Sequence, residues 1–213
     1  MSFTDPRMLI PAIPVILMAL TIHEWAHAYS AFRLGDPTAR SLGRMTLNPL
    51  AHLDLFGTVA IVLIGFGWAK PVPVDPRNLR EPRRDMMWIA AAGPISNLIQ
   101  AAIFGMLYRL IDVTGAGAAS SEFIIRMITY GIFINCALAV FNLIPVPPLD
   151  GSKIIYGLLP GISHEQIWKL ERYGPMVLMG VIAIGFLTGY SILWTIMGPP
   201  IRILVAIFSG GIL

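Results

Sequence analysis

His23-Glu24-Trp25-Ala26-His27 puts two imidazoles and a carboxylate within about one turn of an apolar segment. On an α-helix, residues four apart are separated by about 400° of rotation and one turn of rise, so His23 and His27 point the same way and can hold one metal ion. Glu24 is offset by about 100° and sits beside that ion, where it can take a proton from a water the metal activates. So short a pattern also arises by accident, with one histidine a packed interfacial residue. Ionisable side chains are costly in hydrocarbon, however, and three of them in one apolar helix read as functional.

Catalytic zinc usually keeps three protein ligands and one open position. The candidate for the third is Asp150, in Asn142-Leu143-Ile144-Pro145-Val146-Pro147-Pro148-Leu149-Asp150-Gly151, directly after a proline-stiffened break. Asp-Gly is also a common turn or cap signal. What favours ligation is that Asp150 and His27 fall at the same end of their spans. His52 and Asp54, in Asn48-Pro49-Leu50-Ala51-His52-Leu53-Asp54, are rival ligands on a loop of freer geometry. His164, next to Glu165 in a polar loop, reads as solvated.

The elements that must position these groups are membrane helices. Of 213 residues, 56% are hydrophobic and 13% charged, and the mean hydropathy is +0.72, against roughly 25% charged residues in a soluble domain. The expected fold class is an all-α polytopic membrane protein of about four to six transmembrane helices with a short re-entrant or β-edge segment, forming one integral-membrane domain over 1–213. Core spans are expected at about 8–33, 86–108 and 123–144, with an additional span at 173–194, each about long enough for a hydrocarbon core of about 30 Å. The apolar run before His23 resembles a secretory signal but reads as a retained span, because cleavage would destroy the motif. The stretch 201–213, after Gly198-Pro199-Pro200, is short for a span and reads as an interfacial or half-length helix. Cys136 has no partner for an intrachain disulfide and reads as a small core residue.

Charge decides the stretch at 53–69. Arg33, Arg40 and Arg44 precede it, and Lys70, Arg77, Arg80, Arg83 and Arg84 follow it. A re-entrant segment keeps these cations on one face, and the positive-inside rule makes that face cytoplasmic. The net charge of +3 is then membrane anchoring, and no nucleic-acid partner is expected. Both termini face outward, and the site lies toward the cytoplasmic side. In Gly67-Trp68-Ala69-Lys70-Pro71-Val72-Pro73-Val74, alternating prolines leave at most one hydrogen-bonding edge. That edge suits strand addition by an unwound peptide, and a polyproline-like surface loop fits equally well.

These residues resemble the site-2 proteases, intramembrane zinc metalloproteases, in their short form without a PDZ domain. The match covers most of the chain: His23-Glu24-x-x-His27 in the first core helix, Gly93-Pro94-Ile95-Ser96-Asn97 in the second, and Asn142-x-x-Pro145 running to Leu149-Asp150-Gly151 in the third. The stretches 48–58 and 67–74 are also similar to that form. The resemblance implies that His23, His27 and Asp150 bind one Zn²⁺, that Glu24 is the general base and acid, and that Asn97 and Asn142 help hold substrate or the developing oxyanion. On the residues alone, Asn142 equally fits an interhelical hydrogen bond, and Gly93 with Asn97 a close-packing face.

The expected function is zinc-dependent hydrolysis of peptide bonds in or near transmembrane segments of membrane-protein substrates, in a prokaryotic plasma membrane. An intact helix shields its carbonyls, so the substrate must unwind locally. The alternative is a non-proteolytic membrane metal-binding or transmembrane-helix-binding protein. Metal transit predicts a polar path across all spans, and the outer halves here are almost purely apolar; a helix binder that does not cut predicts loss of Glu24, which is present.

Overall fold

The first apolar run forms α1 (Pro6–Arg33), with Pro11 and Pro14 in its N-terminal half, away from the turn that carries 23–27. Gly35, at φ 113°, turns the chain out of it. The computed structural model describes residues 6–64, 67–118, 121–159 and 161–213, with side chains for all of these except 6–9, 58, 61–64, 118 and 164. A single-turn α2 (Thr38–Ser41) follows, then α3 (Leu55–Ile64), α4 (Pro82–Thr114), α5 (Glu122–Asn142), α6 (Asp150–Leu158), α7 (His164–Thr188) and α8 (Ile192–Ser209). Five of these helices are long and apolar enough to cross a membrane: α1, α4, α5, α7 and α8. The chain is an all-α polytopic membrane protein.

The core is built from α1, α4 and α5, each packed on the other two, with α6 against α4 and α8 against α4 and α5. Along α4 the buried positions Ile89, Ala90, Gly93, Asn97, Gln100, Ala101 and Gly105 follow the helical period. Its exposed stripe, Ile95, Ile99, Ile103, Met106 and Leu110, is large and apolar, as a lipid-facing side requires. Ala101, Ile132, Cys136 and Ile201 form a buried cluster where α4, α5 and α8 meet. The small residues there let backbones approach, which is how membrane helices gain packing energy without a hydrophobic effect between them.

The segment at 53–69 turns back on itself. Its helix α3 has 10 residues, about 15 Å or half a hydrocarbon core. Leu53 and Ala69 form an antiparallel bridge, and the Lys70 N–H donates to the His52 carbonyl at 2.8 Å, so both ends lie at one level. Residues 65 and 66 of the expected re-entrant stretch lie outside the described residues. The expected β-edge is reduced: among the described residues, pairing stops at that single bridge. Pro71 and Pro73 have no N–H to offer, and the Val72 N–H is turned elsewhere, to Glu24. The segment is pinned by Asp36, which accepts from the Asp75 N–H at 2.8 Å, from Asn78 Nδ2 at 2.8 Å and from the Thr38 N–H at 3.0 Å. Burial pushes the Asp36 carboxyl up, but the Thr38 hydroxyl together with these donors outweighs it and holds it below its ordinary value.

The C-terminal helices depart from the expected spans. The stretch 173–194 is not one helix: Gly189, left-handed at φ 70°, ends α7, and Ser191 caps α8 by accepting the Trp194 N–H. Helix α8 then runs through Pro199 and Pro200 instead of starting after them, as membrane helices tolerate. Its direction follows from its contacts. Gly105 of α4 lies against the Phe208 backbone, and Arg109 donates to the Ile207 carbonyl, so α8 runs parallel to α4 and ends beside that helix's far end. Eighteen residues span about 27 Å, which puts the start of α8 back at the end of the bundle that holds Asp85 and Asp150. Helix α7 leaves that same end, where Arg83 of α4 donates to the Tyr156 carbonyl at 2.7 Å and to the Leu159 carbonyl. By length and composition α7 and α8 are each able to cross a membrane, so the expected span at 173–194 is divided between the end of one and the start of the other.

Candidate metal centre

Two turns of α1 present His23 and His27, and the first residue of α6 presents Asp150. His23 Nε2 and His27 Nε2 are 3.0 Å apart, and each lies 3.2 Å from Asp150 Oδ2. The three residues are at most 9% exposed. Tetrahedral zinc with bonds of about 2.0–2.1 Å needs ligand atoms about 3.3 Å apart, so this triangle fits zinc with little adjustment.

The chemistry of the donor set makes the same point. His23 Nδ1 faces Asn97 Oδ1 at 2.6 Å, and His27 Nδ1 faces the Ile89 carbonyl at 2.7 Å. Both partners are acceptors, so the proton of each neutral ring sits on Nδ1 and leaves a lone pair on Nε2. Two such nitrogens and a carboxylate oxygen then converge with no donor among them, an arrangement that requires positive charge at its centre. A cation at that point favours the ionised form of the Asp150 carboxyl against the penalty of its burial.

Two glycines make the room. A Cβ at Gly93 would lie 2.5 Å from His23 Cε1 and His27 Nε2 and 2.6 Å from His23 Nε2, so a methyl group there would intrude on both imidazoles. Pro94 follows inside α4 and cannot donate to the Ala90 carbonyl, which interrupts the helix ladder one residue from the Ile89 carbonyl that holds His27. At Gly151 a Cβ would collide with the Leu143 and Ile144 carbonyls. Its absence lets α6 begin tight against the end of α5, with Asp150 buried in its first turn, where the helix dipole favours a carboxylate.

Glu24 accepts the Val72 N–H on Oε2 at 3.0 Å and lines a cavity of about 750 Å³ together with His23, His27 and Asp150. The cavity is otherwise largely apolar. Ile16 and Leu20 of α1, Phe133 and Leu138 of α5, and Trp194 and Met197 of α8 form its walls, while Trp68, Pro71, Val72 and Val74 border the metal side. Asn142 is on the wall, and its amide donates within α5 to the Leu138 carbonyl at 3.0 Å rather than to another helix, which leaves a second N–H for a ligand.

Asn97 is placed differently from Asn142. It is fully buried behind His23, outside the cavity wall, and its Nδ2 donates to Asn135 Oδ1 at 3.0 Å and to the Ala19 carbonyl at 3.3 Å. Asn135 went unnoticed in the sequence. A fully buried amide in an apolar span is itself the signal that would have found it. Gln100, buried with neither end of its amide partnered, carries the same signal. The rival ligands lie apart: among the described residues, the group that converges is His23, His27 and Asp150. His52 donates from Nε2 to the Thr46 carbonyl at 2.8 Å, and Asp54 accepts the Gly57 N–H at 2.8 Å in the first turn of α3. The side chain of His164 lies outside the described residues.

Comparison with known proteins agrees with this geometry. The sequence profile of peptidase family M50 matches residues 11–188. The chain is 39% identical over 207 residues to "Putative zinc metalloprotease YwhC" of Bacillus subtilis, covering 96% of this chain and 94% of that one. Rip2 of Mycolicibacterium smegmatis carries the same description and is 32% identical over 168 residues, 76% of this chain and 62% of its own. Rip3 of Mycobacterium tuberculosis, described in the same words, is 31% identical over 174 residues, 80% of this chain and 37% of its own. No solved structure matches the chain at a significant level.

Proposed function

Because the chain belongs to peptidase family M50, the site-2 protease family, we propose that this metalloprotease cuts peptide bonds in or next to transmembrane segments of membrane-protein substrates. The observation that carries the reading is the convergence of His23, His27 and Asp150 on one point beside Glu24, inside helices long and apolar enough to cross a membrane. His23, His27 and Asp150 hold the zinc ion, which when bound polarises a peptide carbonyl and acidifies water. Glu24 takes a proton from the attacking water and delivers it to the leaving nitrogen as the C–N bond breaks, so the new ends are a carboxylate and an amine. The Val72 N–H fixes Oε2 and leaves Oε1 to carry the proton. Asn142 offers its second N–H to the developing oxyanion. Asn97, behind His23, orients that ligand instead of touching substrate.

The substrate lies as an extended segment in the apolar cavity, alongside Pro71–Val74. Helix carbonyls are already bonded, so a cleavable stretch must first unwind, and helix-weakening residues near the cut are the expected substrate feature. Because the Val72 N–H is engaged with Glu24, clamping here comes from carbonyls and from Val74 more than from a free row of N–H groups. Val72→Pro deletes the Glu24 contact and is expected to lower cleavage about tenfold, the effect of losing one charge-assisted hydrogen bond, with zinc content unchanged. Unaltered cleavage of every substrate would remove the segment from the mechanism.

The proposal puts the site toward the cytoplasm of a prokaryotic plasma membrane, a reading supported by the distribution of basic residues. Arg33, Arg40, Arg44, Lys70, Arg80 and Arg83 gather at the end of the bundle where Asp150 sits. The decisive experiment compares wild type with Glu24→Gln in detergent, measuring cleavage of a model transmembrane substrate and bound zinc. Zinc in both with cleavage lost in the variant is the expected result. Zinc in both with no cleavage by either, across several substrates, would replace the protease reading with metal binding or helix binding.

A further inference from the structure

We propose that Asn135, which touches neither metal ligand nor cavity, is a positioning residue that sets the polarity of the amide chain behind His23. The proposal rests on the reading of His23 as a zinc ligand. Asn135 lies on α5, fully buried, and its Nδ2 donates to the Gly131 carbonyl one turn back at 2.9 Å. That bond turns Oδ1 toward α4, where it accepts Asn97 Nδ2 at 3.0 Å. Asn97 Nδ2 also reaches the Ala19 carbonyl at 3.3 Å, which leaves Asn97 Oδ1 facing His23 Nδ1 at 2.6 Å.

Each step fixes the next. An inverted Asn97 amide would bring its oxygen against two other oxygens, Asn135 Oδ1 and the Ala19 carbonyl, and its NH₂ against His23 Nδ1. The ring would then have to move its proton to Nε2, the atom that binds metal. His27 needs no such device, because its Nδ1 partner is the Ile89 backbone carbonyl, and a peptide group inside a helix cannot turn over. A side-chain amide can, and a second amide anchored to a helix carbonyl is what prevents it. The cost of burying two amides among apolar helices is otherwise unexplained.

The test is the zinc affinity of the purified full chain, measured by competition with a chromophoric chelator, with the thermal melting point as a check on folding. Asn135→Leu keeps the branched shape and removes the acceptor, and is expected to weaken zinc binding about tenfold, the lower end of the effect of outer-sphere partners. Asn135→Asp is expected to stay within about threefold of wild type: a buried carboxyl in its neutral form still donates to Gly131 and accepts from Asn97. A residue that merely fills space gives the reverse order, with Leu tolerated and Asp harmful, and that order would overturn the proposal. If Asn135→Leu does not fold, Asn135→Ala takes its place. If both apolar variants fail to fold while Asn135→Asp binds zinc normally, the position requires polarity and the proposal stands; failure of Asn135→Asp as well overturns it. Zinc binding that His27→Ala leaves unchanged would sink the underlying zinc reading, whereas zinc lost in His27→Ala but retained in Asn135→Leu would sink the role of Asn135 alone.

Discussion

Helices α4 and α7 have the same hydropathy, 1.4 over their most apolar windows, yet 44% of that window is buried in α4 and 11% in α7. Hydropathy measures how content a helix is in lipid, and by that measure the two are equals. What separates them is the inward face. On α4 it carries Gly93, Asn97, Gln100, Ala101 and Gly105, small or polar residues that gain nothing from lipid and are retained because another helix lies against them. On α7 large apolar residues point outward over much of the surface, including Met176, Val177, Phe186 and Leu187. In a membrane protein the informative residues are therefore the least hydrophobic ones. The candidate metal centre sits where they cluster.

Gly93→Ala is the strongest way to break that comparison, because it changes α4 by one methyl group and raises its hydropathy. The methyl would lie 2.5 Å from His27 Nε2, so the imidazoles must separate or α1 must withdraw. Zinc affinity is expected to fall by at least about a hundredfold, at or beyond the upper end of the effect of outer-sphere partners, with peptide cleavage lost in parallel. Overpacking should also cost about 1–3 kcal/mol of stability. A variant that folds and binds zinc as tightly as wild type would mean that Gly93 is generic packing and that α4 has no special face.

The same contrast explains what was legible in the sequence. His23, Glu24 and His27 could be read from helical period alone, since their relation is local to one turn. Asp150 needed one long-range step, supplied by the proline-stiffened break that puts it at the same end of the membrane as His27. Asn135 is costly in an apolar span but carries no ligand chemistry and has no local partner in the sequence, so only the packing of α5 on α4 joins it to the site. The helix boundary at Gly189 and Ser191 was written in ordinary signals, a left-handed glycine and a serine cap, but a hydropathy window runs across them unmarked. The Val72 contact to Glu24 depends on where a loop pinned by Asp36 comes to rest. No local pattern encodes that.

A middle-sized effect comes from the other end of α4. Gly105 faces the Phe208 backbone of α8, far from the ligands, so Gly105→Ala is expected to cost about 1–3 kcal/mol through overpacking and to leave zinc affinity within about twofold of wild type. Thermal melting and chelator competition on the same sample separate the two quantities. Zinc lost in step with stability would show that α8 holds the metal centre together, and the division between packing face and chemical face on α4 would disappear.

The smallest effect should be on α7. Leu187 is 85% exposed and two residues before the glycine that ends the helix, so Leu187→Ala removes methyl groups that meet lipid rather than protein. Surface substitutions of this kind usually change stability by no more than about 0.5 kcal/mol, and zinc binding should not change at all. The substitution nevertheless lowers hydropathy, whereas Gly93→Ala raises it. If hydropathy were what these helices are built to supply, Leu187→Ala would be the harmful change and Gly93→Ala the benign one. Measured side by side for melting and zinc affinity, the two variants should fall in the opposite order, because a methyl group matters in this bundle where it displaces an imidazole and hardly where it displaces a lipid tail.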